Sequence, residues 1–273
     1  MSKEKIVKKQ AREAMKGNTL PIIAGMALSA LIFVMLQNIM YVVMIAFDAI
    51  NIETEKMNAG SDIPYYITLA GMVVAGVLLS PFFNGTYKTA ANAVINNNCG
   101  VTDLFYFFKG FRRYIKTLIV NMTMVLIYGT FTSLFDSLMK NVFGKANPGA
   151  VIAAVLSGLF AFLIYALFLH YPLCLYAVDD SRSALRYMFG YIGFSFRHFG
   201  AFFKLFFSMI GWILLCFFIA PVFYVGPYAL CAAINSARWL KKADDEKAAR
   251  KYVPQQLFLQ DTQNNNMGDN IVW

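Results

Sequence analysis

Charge and histidine are what this chain has least of. Only 14% of its 273 residues are Asp, Glu, Lys or Arg, and only two are histidine. Soluble domains carry about a quarter of their residues as charges to keep the surface solvated, so the scarcity excludes an ordinary water-soluble globule. With two histidines and no H-E-x-x-H, P-loop or G-x-S-x-G motif, metalloprotease, nucleotide and hydrolase chemistry lack their usual carriers. The four cysteines, Cys99, Cys174, Cys216 and Cys231, form no C-x-x-C pair. They read as small hydrophobes rather than as a disulfide or metal framework. No enzymatic activity, metal or cofactor is expected, and no nucleic-acid partner.

Apolar residues, by contrast, make up 59% of the chain, and the mean hydropathy is +0.54. The charges fall in clusters and leave uncharged runs at 17–47, 63–87, 117–135, 146–178 and 205–237. A helix rising ~1.5 Å per residue needs about 20 residues to cross ~30 Å of hydrocarbon, so all five runs qualify. The first is too long for a signal-peptide core of about 7 to 15 residues, and no small-residue cleavage site follows it before "DAINIETEK". A retained anchor is expected.

The last run contains "FFIAPVFYVGPYALCAAIN", in which Pro221, Gly226 and Pro227 suggest a turn within a broken helix. Charge decides whether it crosses once or twice, because Lys and Arg of short loops stay on the cytoplasmic side. The segments between runs hold six, one, five, two, four and six Lys/Arg in chain order. Two crossings place twenty-one inside and three outside, whereas one crossing gives fifteen against nine. The expected fold is therefore an all-α integral membrane protein of six transmembrane helices in three hairpins, with both termini cytoplasmic. The turn falls at 221–226, and Pro227 opens the returning helix, where its missing N–H is harmless. Only 12 residues, 228–239, remain for that return, so it starts earlier, thins the bilayer or is partly re-entrant. Tyr65, Tyr66, Tyr224 and Tyr228 then mark the outer interface, and Tyr87, Tyr114, Tyr176 and Trp239 the inner one. Residues 1–252 form one polytopic domain. Residues 253–273, polar and rich in Asn and Gln, read as a disordered tail.

The basic loops carry a further pattern. In "TDLFYFFKGFRRYIK", Leu104, Phe107, Phe108, Phe111 and Ile115 recur at helical spacing. Lys109, Arg112, Arg113 and Lys116 recur on another face of the same amphipathic helix, which Thr102 or Asp103 would cap. In "SRSALRYMFGYIGFSFRHF" a stripe of Leu185, Met188, Phe189, Ile192, Phe196 and Phe199 accompanies Arg182, Arg186 and Arg197, with Asp180 as a candidate N-cap. A third such segment occupies the N-terminus and closes at Gly17, after which Asn18 or Thr19 caps the first span. Each precedes a pair of spans, a loose threefold repeat. Anionic lipid headgroups, or a protein partner, are the expected counter-charge.

At these residues the chain resembles a known family. "SMIGWILL" (208–215), "GPY" (226–228), "GTYKTAANAV", "LFYFFKGF" and "AREAMKGN" are similar to the bacterial membrane family described as domain of unknown function 975. The likeness covers most of residues 5–240. It departs at "HYPL" and "SARW", where that family has a Pro-Gly pair and an aromatic pair. The resemblance implies a multi-pass protein of the bacterial cytoplasmic membrane. It assigns no catalytic residues.

Among polar groups inside the runs, His170 forms a candidate site with Asp179 and Asp180, since an ionisable group within a span is expensive to keep. Asn121, with Gln37 and Asn38, reads as hydrogen-bonding glue between helices or as part of a solute path. "NGT" (84–86) and "NMT" (121–123) match the glycosylation pattern, but their position in or beside the membrane argues against modification. Two functions stay open: a non-enzymatic membrane protein whose basic cytoplasmic face engages anionic lipid or a partner, and a small-solute or lipid transporter using the broken helix at 221–227.

Overall fold

The computed structural model describes the backbone of residues 3–47, 50–51, 56–57, 63–143, 149–215 and 219–268. Among the described residues the regular secondary structure is helical except for a two-residue antiparallel pairing of β1 (Ile50–Asn51) with β2 (Lys56–Met57). The helices are α1 (Lys3–Met15), α2 (Thr19–Ala46), α3 (Ile63–Asn96), a 3-10 helix (Val101–Phe108), α4 (Phe111–Phe143) and α5 (Gly149–Ile164). A π-helical segment (Tyr165–Leu169) joins α5 to α6 (His170–Val178), and α7 (Ala184–Arg197), α8 (Phe199–Leu215) and α9 (Ile219–Gly268) follow. Three described stretches, Thr19–Ala46, Phe111–Phe143 and Gly149–Val178, are long and apolar enough to cross a membrane, compatible with an α-helical membrane protein.

Successive long helices pair antiparallel. In α2 and α3 the Ser29 and Thr86 hydroxyls lie 3.5 Å apart, and Met40 packs on Gly71 further along. In α4 and α5 Phe135 stacks on Phe160 at 4.0 Å, and Ser157 donates to Asp136. In α8 and α9 Trp212 lies 5.9 Å from Tyr224. The order is thus a short segment followed by a helical hairpin, three times.

Burial concentrates at one end of these hairpins. Ala11, Ile22, Ala90, Phe107, Val120, residues 171–177, Tyr187 and Tyr228 are buried there, whereas Leu31 to Val42 of α2 and Val125 to Val142 of α4 are largely exposed. Exposed apolar halves of this kind are compatible with a membrane setting, where lipid tails solvate apolar side chains as well as protein does. Tight helix approach marks the packed end. A Cβ on Gly85 would strike the Leu104 backbone carbonyl, and one on Gly226 would lie 2.6 Å from the Met26 methyl.

Several expectations are corrected. The chain does not turn at 221–226: Pro221, Gly226 and Pro227 lie within α9. Gly226 serves close packing rather than a turn. Residues 102–116 are not one helix. The 3-10 helix ends at Lys109, and Gly110, at φ +109°, starts a new direction before α4. Gly100 takes its cap position, with Asp103 accepting the Gly100 N–H at 3.1 Å. Ser183, not Asp180, precedes α7. Gly17 closes α1 with φ +82° as expected, but the Asn18 side chain does not cap α2. It binds Ala14 O, Asn97 O and the Cys99 N–H, pinning the α1–α2 corner to the end of α3. The expected tail boundary at 253 falls inside α9.

Candidate functional site

The packed end gathers charge around Asp180. The Tyr106 hydroxyl donates to both carboxylate oxygens, at 3.2 and 3.3 Å, and Arg113 Nε lies 3.9 Å away. Lys116 donates to the Asp180 backbone carbonyl, and Lys88 to Ala177 O at 3.1 Å. Aromatic faces hold the same cations: Lys88 and Arg113 lie 4.8 and 4.6 Å from the Tyr106 ring centre, and Lys116 lies between Tyr176 and Tyr187. Such contacts gain from partial desolvation. Burial, and then the Asp180 charge, push the Tyr106 hydroxyl above its ordinary pKa. Burial also pushes the Asp179 carboxyl up, but the Ser181 N–H and hydroxyl with the Lys241 and Arg182 charges outweigh it and hold the group below its usual value.

The four-residue basic face therefore divides. Arg113 and Lys116 are committed to Asp180, while Lys109 and Arg112 are exposed and make no ion pair among the described residues. Arg182 and Arg186 are likewise exposed. Arg197 pairs instead with Asp244 of α9 at 3.4 Å, as does His198 at 3.0 Å. The first apolar stripe divides as well: Leu104 and Phe107 are buried, Phe108 is exposed, and Phe111 is 79% exposed. On α7, Tyr187, Met188, Tyr191 and Phe194 face the protein, and Leu185, Phe189 and Phe196 face outward. A groove of about 320 Å³ lies between the two segments, with Phe111, Arg112, Ile115 and Ile119 on one wall and Ser183 and Ala184 on the other.

α1 is packed rather than free on a surface. Asn235 of α9 donates to Val7 O and Gln10 Oε1, Lys8 to Ser208 O at 2.7 Å, and Arg12 covers the Tyr228 ring. Tyr228, expected at the outer interface, is thus buried beneath α1.

His170 does not join Asp179 and Asp180. Its Nδ1 lies 3.4 Å from the Tyr165 hydroxyl, and its ring packs on Tyr171 and Phe202. Nε2 is buried and has no partner among the described residues. Asn121 donates to Ser80 O across α4 and α3 at 3.1 Å, an interhelical bond of the expected kind. Asn38 instead donates to Val34 O of its own helix, and Gln37 is exposed. His170 and Asn121 line two neighbouring cavities, of about 490 and about 660 Å³, which share Ser29, Phe83 and Tyr165 as a common wall. Asn84 of the "NGT" match is only 1% exposed, with both amide atoms unpartnered.

Sequence reasoning missed Lys88 and Tyr106 because their link to Asp180 spans more than seventy residues. The signal for the π-helical segment was present. Pro172 has no N–H for the Phe168 carbonyl, and the next donor is Leu173, five residues on, which is the π spacing. Cys174 and Cys231 are buried free thiols, Cys99 is a partly buried one, and Cys216 lies outside the described residues.

Comparison with protein-family models, with curated proteins and with solved structures finds no match.

Proposed function

We propose that this chain is a six-crossing, non-enzymatic protein of the bacterial cytoplasmic membrane, with both termini inside, whose cytoplasmic face engages anionic lipid headgroups. Membership in the family described as domain of unknown function 975 is part of the same proposal and rests on the residue resemblance alone. The observation that carries the lipid reading is the mixture of exposed rings and exposed cations at the packed end. Phe108, Phe111, Leu185 and Phe189 point outward among Lys109, Arg112, Arg182 and Arg186. Apolar side chains that enter the acyl boundary beside cations that meet phosphates are what lays an interfacial segment on a membrane. Each cation near an anionic surface contributes about 1 kcal/mol at low salt. Arg113 and Lys116 belong to the internal Asp180 cluster, so the lipid-facing set is Lys109, Arg112, Arg182 and Arg186. The transporter alternative loses its premise, because α9 is continuous through Pro221, Gly226 and Pro227.

The test is lipid retention. Changing Lys109, Arg112, Arg182 and Arg186 together to Glu should strip co-purifying phosphatidylglycerol and cardiolipin, while reporter fusions keep the wild-type topology. Unchanged lipid retention with intact topology would refute the reading and leave this face to a protein partner.

A further inference from the structure

We propose that the two cavities flanking the π-helical segment form one binding chamber, inside the helix bundle, for a single-chain neutral lipid with a hydroxyl head, and that His170 recognises the head. The inference requires only that α2 and α4 lie in a membrane, and does not depend on the lipid-headgroup reading of the basic face.

The π-helical segment builds the polar end. Five steps of about 100° put residues five apart on different faces of an α-helix, whereas an i→i+5 turn brings them together. The His170 N–H donates to Tyr165 O in this way, and the Tyr165 hydroxyl reaches His170 Nδ1. His170 lines the first cavity, is 7% exposed, and keeps Nε2 unpartnered. A buried polar atom without a partner is costly unless a ligand or water completes it. Three other polar groups in the walls already have partners. Thr86 donates to Phe82 O, Ser80 to Gly76 O, and Asn121 to Ser80 O.

The remaining wall specifies the ligand. Phe83, Phe162, Phe202, Leu205, Phe206 and Leu230 make the first cavity apolar, and among the described residues no Asp, Glu, Lys or Arg lines either cavity. A phosphate or carboxylate brought here would lose its hydration with no counter-charge, a cost of several kcal/mol per ion. A hydroxyl both donates and accepts, so it satisfies Nε2 in either tautomer. Each cavity lies within the range of about 300–1,000 Å³ usual for ligand sites. The second opens sideways, since Phe33, Val125 and Tyr128 in its wall are exposed on the flanks of α2 and α4. Hydrocarbon is the phase that enters from there.

The experiment uses the full-length protein in phosphatidylcholine nanodiscs with a diazirine-bearing hexadecanol, irradiated and mapped by mass spectrometry. Saturable adducts should concentrate on Phe83, Tyr165, Phe202 and Leu230, and unlabelled hexadecanol should compete, whereas hexadecane and palmitate should not. His170→Leu should lower the chamber labelling about fivefold, the loss of one buried hydrogen bond, with labelling of outward-facing Leu31 and Val34 unchanged. Equal competition by hexadecane overturns head recognition, and equal competition by palmitate overturns the neutral head. Non-saturable adducts spread evenly over outward-facing residues overturn the chamber itself. The competition series uses the wild-type protein, so it stands even if His170→Leu does not fold.

Discussion

Removing one oxygen atom from Tyr106 tests whether the Asp180 cluster acts as a unit. Tyr106→Phe deletes the hydroxyl that donates to Asp180 but leaves the ring beneath Lys88 and Arg113. Hydrogen bonds to charged groups contribute about 1.5–3 kcal/mol. Both partners are half-buried, so water replaces part of the contact and about 1.5 kcal/mol, the low end, is expected. Asp180→Ala removes the same bond and the 3.9 Å approach of Arg113, whose side chain is 47% exposed. An exposed pair of that kind adds only a few tenths of a kcal/mol, giving about 2 kcal/mol in all. Lys116 is spared, because it binds the backbone carbonyl of residue 180. The double variant should then cost no more than Asp180→Ala alone, a coupling of about 1.5 kcal/mol. Unfolding in mixed micelles of increasing dodecyl sulfate fraction measures all three. Costs that add to within about 0.5 kcal/mol would show that Tyr106 and Asp180 stabilise the protein independently and would refute the cluster.

Further outcomes follow from other contacts. Gly85→Ala, which drives a methyl into the Leu104 carbonyl, should cost about 1–3 kcal/mol, whereas Gly158→Ala, with nothing within 4 Å of its Cβ, should be neutral or stabilising; equal stability of the two in the same micelles would refute the close contact. The Asp179 carboxyl is held below its ordinary pKa, so its contribution is present above the unfolded value near ~3.9 and is lost as pH falls below it. Asp179→Asn should accordingly flatten the acid limb of the stability profile, and an unchanged limb would exclude the Ser181 contact as its source. A reporter active only in the cytoplasm, fused after Trp239, should be active; activity of a periplasmic reporter at that site would overturn the six-crossing topology.

The sequence alone determined the apolar runs, because span length and charge clustering are one-dimensional quantities set by bilayer thickness and by hydration. Helical pairing of neighbouring runs was legible for the same reason: short connections leave few alternatives to an antiparallel neighbour. Local glycine chemistry was legible at Gly17, where a left-handed residue ends α1. What the tertiary structure decided was which of several equivalent residues face inward. Periodicity put Lys109 on a face with Arg113 and Lys116, but it cannot register the break at Gly110 or the carboxylate of Asp180, which comes from the α6–α7 connection far along the chain. It likewise singled out Leu185 and Phe189 without showing that Tyr187 and Tyr191 supply the buried face of α7. Pro221 to Pro227 read as a turn because proline and glycine break isolated helices. In α9 both prolines lie within a continuous helix, and Gly226 lets Met26 approach. Whether a proline or glycine ends a helix or packs within one depends on its neighbours in space, and those come from elements far apart in the chain.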